Sequence, residues 1–283
     1  MEPARIGFIG FGEVGKTFAA AMANGGAEVF FFDVVRTGAV PCAVYCPLEQ
    51  LVARCDILLS VVTTRVAVAV AETVAPLLAS RHTYADMNST AASVKRRIAA
   101  IIGASPAHFV EGAILSAVGE AGAKASILVA GERGEAFARL MNRLGLVNVT
   151  YFSPEVGEAS QMKMLRSIFS KGVECLLLEM LVAGKRAGIA GRLWKDIVEF
   201  MTNHPFEGIA GNWIRTHPAA SERRYHEMEQ VLETLDDLGV DPVMTRGTTE
   251  FFRRSVASGL AARFTGKPED LWAVPEELDK RRK

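Results

Sequence analysis

The chain opens on a short apolar run, Ile6, Phe8 and Ile9, of the length and density of a buried strand, and residues 29–32 repeat that pattern. Between them, residues 13–24 carry Val14, Phe18, Ala21 and Met22 on one helical face, and Gly25-Gly26 ends the stretch. The alternation then continues. Residues 57–62 read as a strand, 65–78 as a helix and 83–86 as a strand. Residues 90–102 read as a helix with Lys95, Arg96 and Arg97 on its outer side. Strands follow at 108–111 and 126–130, a helix at 135–144 and a last strand at 147–151. Strands alternating with helices predict an α/β fold: a doubly wound, mainly parallel sheet covered by helices on both faces. After Pro154 the periodicity is helical throughout, with further helices expected from Leu193, Glu222, Pro242 and Pro268. Two domains are therefore expected, 1–154 around the sheet and 155–283 all-helical.

The junction of the first strand and first helix carries chemistry. Gly10-Phe11-Gly12-Glu13-Val14-Gly15 follows the strand directly and opens the helix. In that setting Gly10 permits the tight turn, Gly12 lets backbone approach a pyrophosphate, and Gly15 lets helix and strand pack closely. The helix N-terminus then offers free N–H groups and positive dipole to phosphate. Asp33 ends the second strand, where a carboxylate accepts hydrogen bonds from the adenosine ribose. It favours NAD, because it repels the 2′-phosphate of NADP; Arg36 just beyond softens that preference and leaves NADP possible. Ligands of such sheets sit beyond the carboxyl ends of the strands, which brings Val62, Thr63 and Thr64, and the segment from Asp86 through Asn88 and Ser89 to Thr90, beside the cofactor.

Composition narrows the field. A chain of 283 residues suits two domains, and an apolar fraction of 49% is ample for a core. The formal net charge of +0 gives no electrostatic case for nucleic acid or an anionic membrane. The N-terminal apolar run reads as the first strand rather than a leader. The apolar stretch 66–79 is broken by Glu72 and Pro76, and 176–182 by Glu179, so no membrane span is expected. Cys42, Cys46, Cys55 and Cys175 form no CxxC pair. They read as reduced, mostly buried thiols of a cytoplasmic protein, and no metal site is expected because His and Cys nowhere fall at ligand spacing. The basic 279–283 tail reads as a frayed, solvated end.

With these pieces in order, the chain resembles the β-hydroxyacid dehydrogenase family, which includes 6-phosphogluconate dehydrogenase and 3-hydroxyisobutyrate dehydrogenase. The likeness rests on the glycine fingerprint, on Asp86-Met87-Asn88-Ser89, on residues 157–167 (GEASQMKMLRS), and on His226-Glu227-Met228 followed by Leu238-Gly239-Val240 and Pro242. The resemblance implies a hydride transfer between a nicotinamide cofactor and a small β-hydroxy acid or sugar acid. It implies Lys163 as general acid/base, with Ser89, Ser116 and Ser167 toward the substrate, and Glu13, Val14 and His226 toward the cofactor; Arg166, one helical turn from Lys163, is an anion-binding candidate for the substrate by its own chemistry. The resemblance further implies a homodimer or higher homo-oligomer. A desolvated lysine can hold a pKa low enough to accept the hydroxyl proton.

The chain also departs from the family. Ser167 stands where the family has Asn, Leu115-Ser116-Ala117 where it has Ser-Gly-Gly, and His226 where it has a lysine. Ser170 stands at the glutamate of 6-phosphogluconate dehydrogenase, which disfavours an acid-assisted decarboxylation. Arg223 and Arg224 are further anion-binding candidates, with His204 and His217 in turn-like His-Pro pairs. The alternatives are an imine or ketone reductase of the same fold, whose members typically lack the lysine, and a cofactor-binding module without turnover.

Overall fold

A computed structural model describes residues 3–35 and 40–280. The candidate cofactor residue Arg36 lies outside the described residues. The chain divides into two compact units, Met1–Ile168 and Phe169–Lys283.

The first unit is built on one eight-stranded sheet. Its elements in order are β1 (Arg5–Ile9), α1 (Glu13–Asn24), β2 (Glu28–Phe32), β3 (Val44–Tyr45), α2 (Leu48–Arg54), β4 (Ile57–Ser60), α3 (Ala67–Val74), β5 (Thr83–Asp86), α4 (Ala92–Gly103), β6 (His108–Ile114), α5 (Val118–Ala121), β7 (Ile127–Ala130), α6 (Gly134–Arg143) and β8 (Val149–Ser153). The strand order is β3-β2-β1-β4-β5-β6-β7-β8. All pairs are parallel except β6 with β7, where Glu111 faces Ala130 and Ile114 faces Ile127. The chain leaves β1 toward β2 and β3, then returns to β4 on the other side of β1. That reversal opens a crevice between the carboxyl ends of β1 and β4. The sheet separates two cores. One gathers Ile6, Phe8, Phe18, Phe31, Ile127 and Met141; the other gathers Leu51, Leu58, Val74, Tyr84, Ile98 and Ile102.

Several expectations change in detail. The strand expected at 57–62 stops at Ser60, which frees Val61 to Thr64 as a loop. The helix expected at 65–78 is α3 followed by a 3-10 turn, Ala75–Leu77, because Pro76 has no N–H to continue the ladder. The short β3 and α2 lie in a stretch for which the sequence reading expects no element. The largest change concerns α4. Lys95, expected outside, is fully buried, while Arg96 and Arg97 are exposed. Lys95, Ile98 and Ile102 are the buried stripe of α4, at helical spacing i, i+3 and i+7.

The long helix α7 (Glu158–Arg186) begins in the first unit, and its later turns belong to the second. There follow α8 (Ala190–Asn203), α9 (Phe206–Asp237), α10 (Val243–Ala257) and α11 (Ala273–Asp279). The helix expected from Glu222 is therefore the later part of α9, which continues through Pro218. His217 is accordingly not in a turn. It is buried within α9, with Nε2 2.9 Å from Ser255 Oγ of α10. Glu179 of α7 caps α10, accepting from Met244 N at 2.7 Å, Thr245 N at 3.0 Å and Thr245 Oγ1 at 2.6 Å. Helix α8 buries none of its residues, although Leu193, Trp194, Ile197, Val198, Phe200 and Met201 give it a broad apolar face. Among the described residues, no helix is long and apolar enough to cross a membrane.

Candidate active site

The site begins at the turn from β1 into α1. Gly10 has φ +93°, and its N–H bonds Phe32 O at 2.9 Å. A Cβ there would lie 2.7 Å from Val61 O, so both backbone conformation and space demand glycine. Gly15 packs the helix onto the turn: a Cβ would lie 2.8 Å from Gly10 O. Gly12 is the N-cap of α1, no side chain caps that end, and nothing lies within 4 Å of where a Cβ would sit. Free helical N–H groups and an open face together form a cradle that fits a pyrophosphate. Beneath the turn, Phe11 is buried and stacks on Phe31 with centroids 3.9 Å apart.

Asp33 sits just past β2, half-buried. Its Oδ2 accepts from Phe11 N at 2.6 Å and its Oδ1 from Val35 N at 2.8 Å. Two backbone donors thus fix the carboxylate beside the glycine turn. Each oxygen keeps a lone-pair direction for a further donor such as a ribose hydroxyl.

An open cleft of about 470 Å³ runs from the start of α1 along the strand ends. It brings together many residues expected from sequence: Glu13, Val14, Val62, Thr63, Asn88, Ser89, Ser116 and Lys163. Val61, Thr64, Met87, Ile114 and Val118 also line it. Ile114 and Val118 were missed because Ile114 ends β6, three residues beyond the strand expected at 108–111, and Val118 opens the short α5, which was not expected. Thr64 Oγ1 donates to Ser89 O at 3.2 Å, tying the loops after β4 and β5, and Ser126 N donates to Ser116 Oγ at 3.1 Å.

Lys163, early in α7, is half-buried. Burial pushes its pKa below the ordinary lysine value, and the positive charge of Lys95 pushes it the same way. Arg166 is exposed and donates to Leu115 O at 3.4 Å, while Ser167 Oγ donates back to Lys163 O at 3.0 Å; both lie outside the lining of the cleft. The start of α7 is held by Glu111, a fully buried residue of β6 that sequence reasoning did not single out. Its carboxylate accepts from Gly157 N and, at 2.7 Å, from Ser160 N. Its opposite number is Lys95, whose Nζ lies 3.0 Å from Asp86 Oδ2 in a pair with no exposed surface on either side chain.

The remaining candidates belong to the second unit. His226 is exposed on α9, with Nδ1 2.8 Å from Glu229 Oε2. Arg223 pairs with Glu227, Arg224 donates to Thr216 Oγ1 at 2.9 Å, and His204 Nδ1 lies 2.9 Å from Phe200 O at the end of α8. Of the cysteines, Cys46 and Cys55 are buried, Cys42 is partly buried and Cys175 is exposed. Burial pushes the Cys55 thiol up to about 12.

Residues 5–150 match the NAD binding domain of 6-phosphogluconate dehydrogenase. The chain belongs to that family. Residues 185–255 match a domain of unknown function, DUF1932. A conserved protein of unknown function, whose structure is described as similar to 3-hydroxyacid dehydrogenases, is 31% identical, with 91% of this chain and 98% of that one covered at a TM-score of 0.60. An uncharacterised 28.5 kDa protein of Methanothermus fervidus is 26% identical over 88% of this chain and 98% of its own. The imine reductase of Myxococcus stipitatus, solved with NADP+, has a TM-score of 0.79 at 16% identity, covering 92% of this chain and 96% of its own. A variant of it solved with NAD+ gives 0.77 at 17% over the same shares. At that identity the last two speak to the fold alone. The dehydrogenase-type, NAD(P)-binding fold is thus common ground.

Proposed function

We propose that the protein is an oxidoreductase that moves a hydride between a nicotinamide cofactor and a small β-hydroxy acid or sugar acid, with Lys163 as general acid/base. The observation that carries this is Lys163 itself: a lysine with a depressed pKa, lining the same cleft as the start of the glycine-turn helix. The bound cofactor would supply the hydride acceptor or donor. In the oxidation direction the carbinol C–H leaves as hydride, and the hydroxyl proton passes to Lys163 Nζ; in reduction both return. The lowered pKa leaves a larger fraction of neutral amine ready to accept that proton. Gly12, Gly15 and the N–H groups of α1 would hold the phosphates, and Asp33 the adenosine ribose, with NAD preferred over NADP. Ser89 and Ser116 offer hydroxyls to the substrate.

We place cofactor binding in residues 1–154, and substrate contacts and assembly in 155–283. His226, Arg166 and Ser167 are retained as candidate ligand contacts. A homodimer or larger assembly fits the uncovered apolar face of α8.

A second reading, imine or ketone reduction, draws on Glu13. Its carboxylate lines the cleft, where it repels an acid and attracts an iminium or ammonium group. One screen separates the readings: NADH formation from hydroxy acids and sugar acids, against NADH or NADPH consumption with cyclic imines. Turnover of the acids supports the first reading, and turnover of the imines alone the second. Cofactor binding without either would mark a non-catalytic module.

A further inference from the structure

Lys95 has no part in the proposed hydride and proton transfer, and its placement is costly for an ammonium. The side chain is fully buried, on the stripe of α4 that otherwise carries Ile98 and Ile102. A buried cation persists only when its hydrogens are satisfied and its charge is matched. Here Nζ donates to Asp86 O at 2.7 Å and to Gly112 O at 3.1 Å, and its charge is matched by Asp86 Oδ2 at 3.0 Å.

The chain of contacts continues toward the cleft. The other oxygen, Asp86 Oδ1, accepts from Asn88 N at 3.3 Å and from Asn88 Nδ2. Asn88 Nδ2 also reaches Ser60 Oγ at 3.0 Å. Asp86 Oδ1 can only accept, so the nitrogen of the amide faces it and the orientation of the amide is settled. Asn88 itself is in the wall of the cleft that Lys163 also lines, and its Oδ1 is buried without a partner.

We propose that Lys95 is a positioning residue: its buried ammonium fixes the Asp86 carboxylate, and through it the Asn88 amide, in the wall of the cleft lined by Lys163. This rests on the reading of the cleft as the cofactor and proton-transfer site. The fixed ammonium has a second effect, since it disfavours a second positive charge on Lys163. Charged groups on the elements that meet here include Lys95 and Arg96 on α4, Asp86 on β5, Glu111 on β6, Glu13 on α1, and Glu158, Lys163 and Arg166 on α7. Asp86 is engaged by Lys95, and Glu111 by Gly157 and Ser160.

The test uses the full chain with Lys95→Met, Asn88→Ala and the two combined. NADH dissociation constants are measured for each. The pH midpoint of Lys163 acylation is read by peptide mass spectrometry after brief treatment with acetic anhydride, with exposed Lys171 as internal reference. Removing the neighbouring ammonium is expected to raise the Lys163 midpoint relative to the Lys171 reference. The losses in NADH affinity are expected to be non-additive, because both substitutions disturb one contact chain. Should Lys95→Met fail to fold because Asp86 is left unpaired, Lys95→Met with Asp86→Asn removes both charges and carries the same measurements. An unmoved Lys163 midpoint together with additive affinity losses overturns the proposal; a lysine that served the fold alone would leave the NADH affinity of the folded variant unchanged. A moved midpoint in a protein whose Lys163→Ala variant still turns over would sustain Lys95 and remove Lys163 as the acid/base. Absence of NADH binding in the wild type would refute the cofactor reading while the midpoint still decides the case of Lys95.

Discussion

The buried Glu111 carboxylate accepts the Ser160 N–H at 2.7 Å, joining the middle of β6 to the first turn of α7 across 49 positions of sequence. Lys163 follows Ser160 by about one helical turn, so this bond sets where its amine can reach. Glu111→Gln keeps one acceptor oxygen but turns an NH2 group against a backbone N–H. It is expected to cost about 1–3 kcal/mol of stability and to lower kcat more than it raises KM. Thermal unfolding and steady-state kinetics read the two effects. A stable, fully active Glu111→Gln would mean that the start of α7 is held by its other contacts.

Lys163→Ala should leave NADH binding intact, because Gly12, Gly15 and Asp33 lie on other elements. The chemical step should slow by ~10²–10⁴-fold, the usual worth of a positioned acid/base. Lys163→Arg should not restore it, since a guanidinium stays protonated. In the wild type, oxidation should rise with pH through the depressed lysine pKa and then level, and this limb should vanish in Lys163→Ala. Turnover within a few-fold of wild type would make Lys163 structural.

Asp33→Ala removes the acceptor placed for the adenosine ribose and the charge that opposes a 2′-phosphate. NAD binding should weaken and NADP binding should weaken less or improve. Titrating both cofactors against both proteins by fluorescence decides it. A wild type that binds NADP more tightly would overturn the charge argument and point to Arg36.

His82 links folding to pH. It is 1% exposed; Nδ1 accepts from Ala79 N at 2.7 Å, which leaves Nε2–H to donate to Val52 O at 3.0 Å. Burial first, and then Arg81, lower its pKa below the ordinary histidine value of 6.5. The unfolded chain therefore takes up a proton before the folded one does. This contribution to stability is full above pH 6.5 and is lost as pH falls below it. His82→Asn should cost ~1–3 kcal/mol at pH 7.5 and should flatten the decline in Tm between pH 7.5 and 5.5. An equally steep decline in the variant would assign the effect to other groups, His217 among them.

The expectation of a homo-oligomer rests on the family resemblance and on helical segments such as 175–182 that are apolar on most sides, and the exposed apolar face of α8 adds a surface for it. Light scattering at micromolar concentration should return at least twice the chain mass. Trp194→Glu, at the centre of that face, should lower the mass toward that of a single chain. A wild-type monomer would remove assembly from the proposal.

Much of the first unit was legible because its signals are local. The strand–glycine–helix junction, Asp33 at the end of β2, the loops at Thr63 and Asn88, and Lys163 early in α7 each follow from neighbouring residues. The lines that failed depend on distant ones. Lys95 reads as one of three consecutive cations until its spacing to Ile98 and Ile102 is weighed, and its partner is supplied by another strand. Glu111 carries no local mark, because the donors it satisfies belong to a helix far along the chain. His217-Pro218 reads as a turn because proline usually ends helices, and α9 continues through it.

The ion pair under α4 also settles a choice that an apolar stripe leaves open. Three cations in a row, Lys95-Arg96-Arg97, point in directions about 100° apart around the helix axis. Turning α4 by one residue would swing Lys95 into solvent and direct the bulkier guanidinium of Arg96 at a space that holds a slim alkyl stem, with Asp86 sealed below. Leucine or isoleucine at position 95 would bind the sheet as greedily in several rotations. A lysine that meets one carboxylate is matched in a single setting, the one in which Nζ lies 3.0 Å from Asp86 Oδ2.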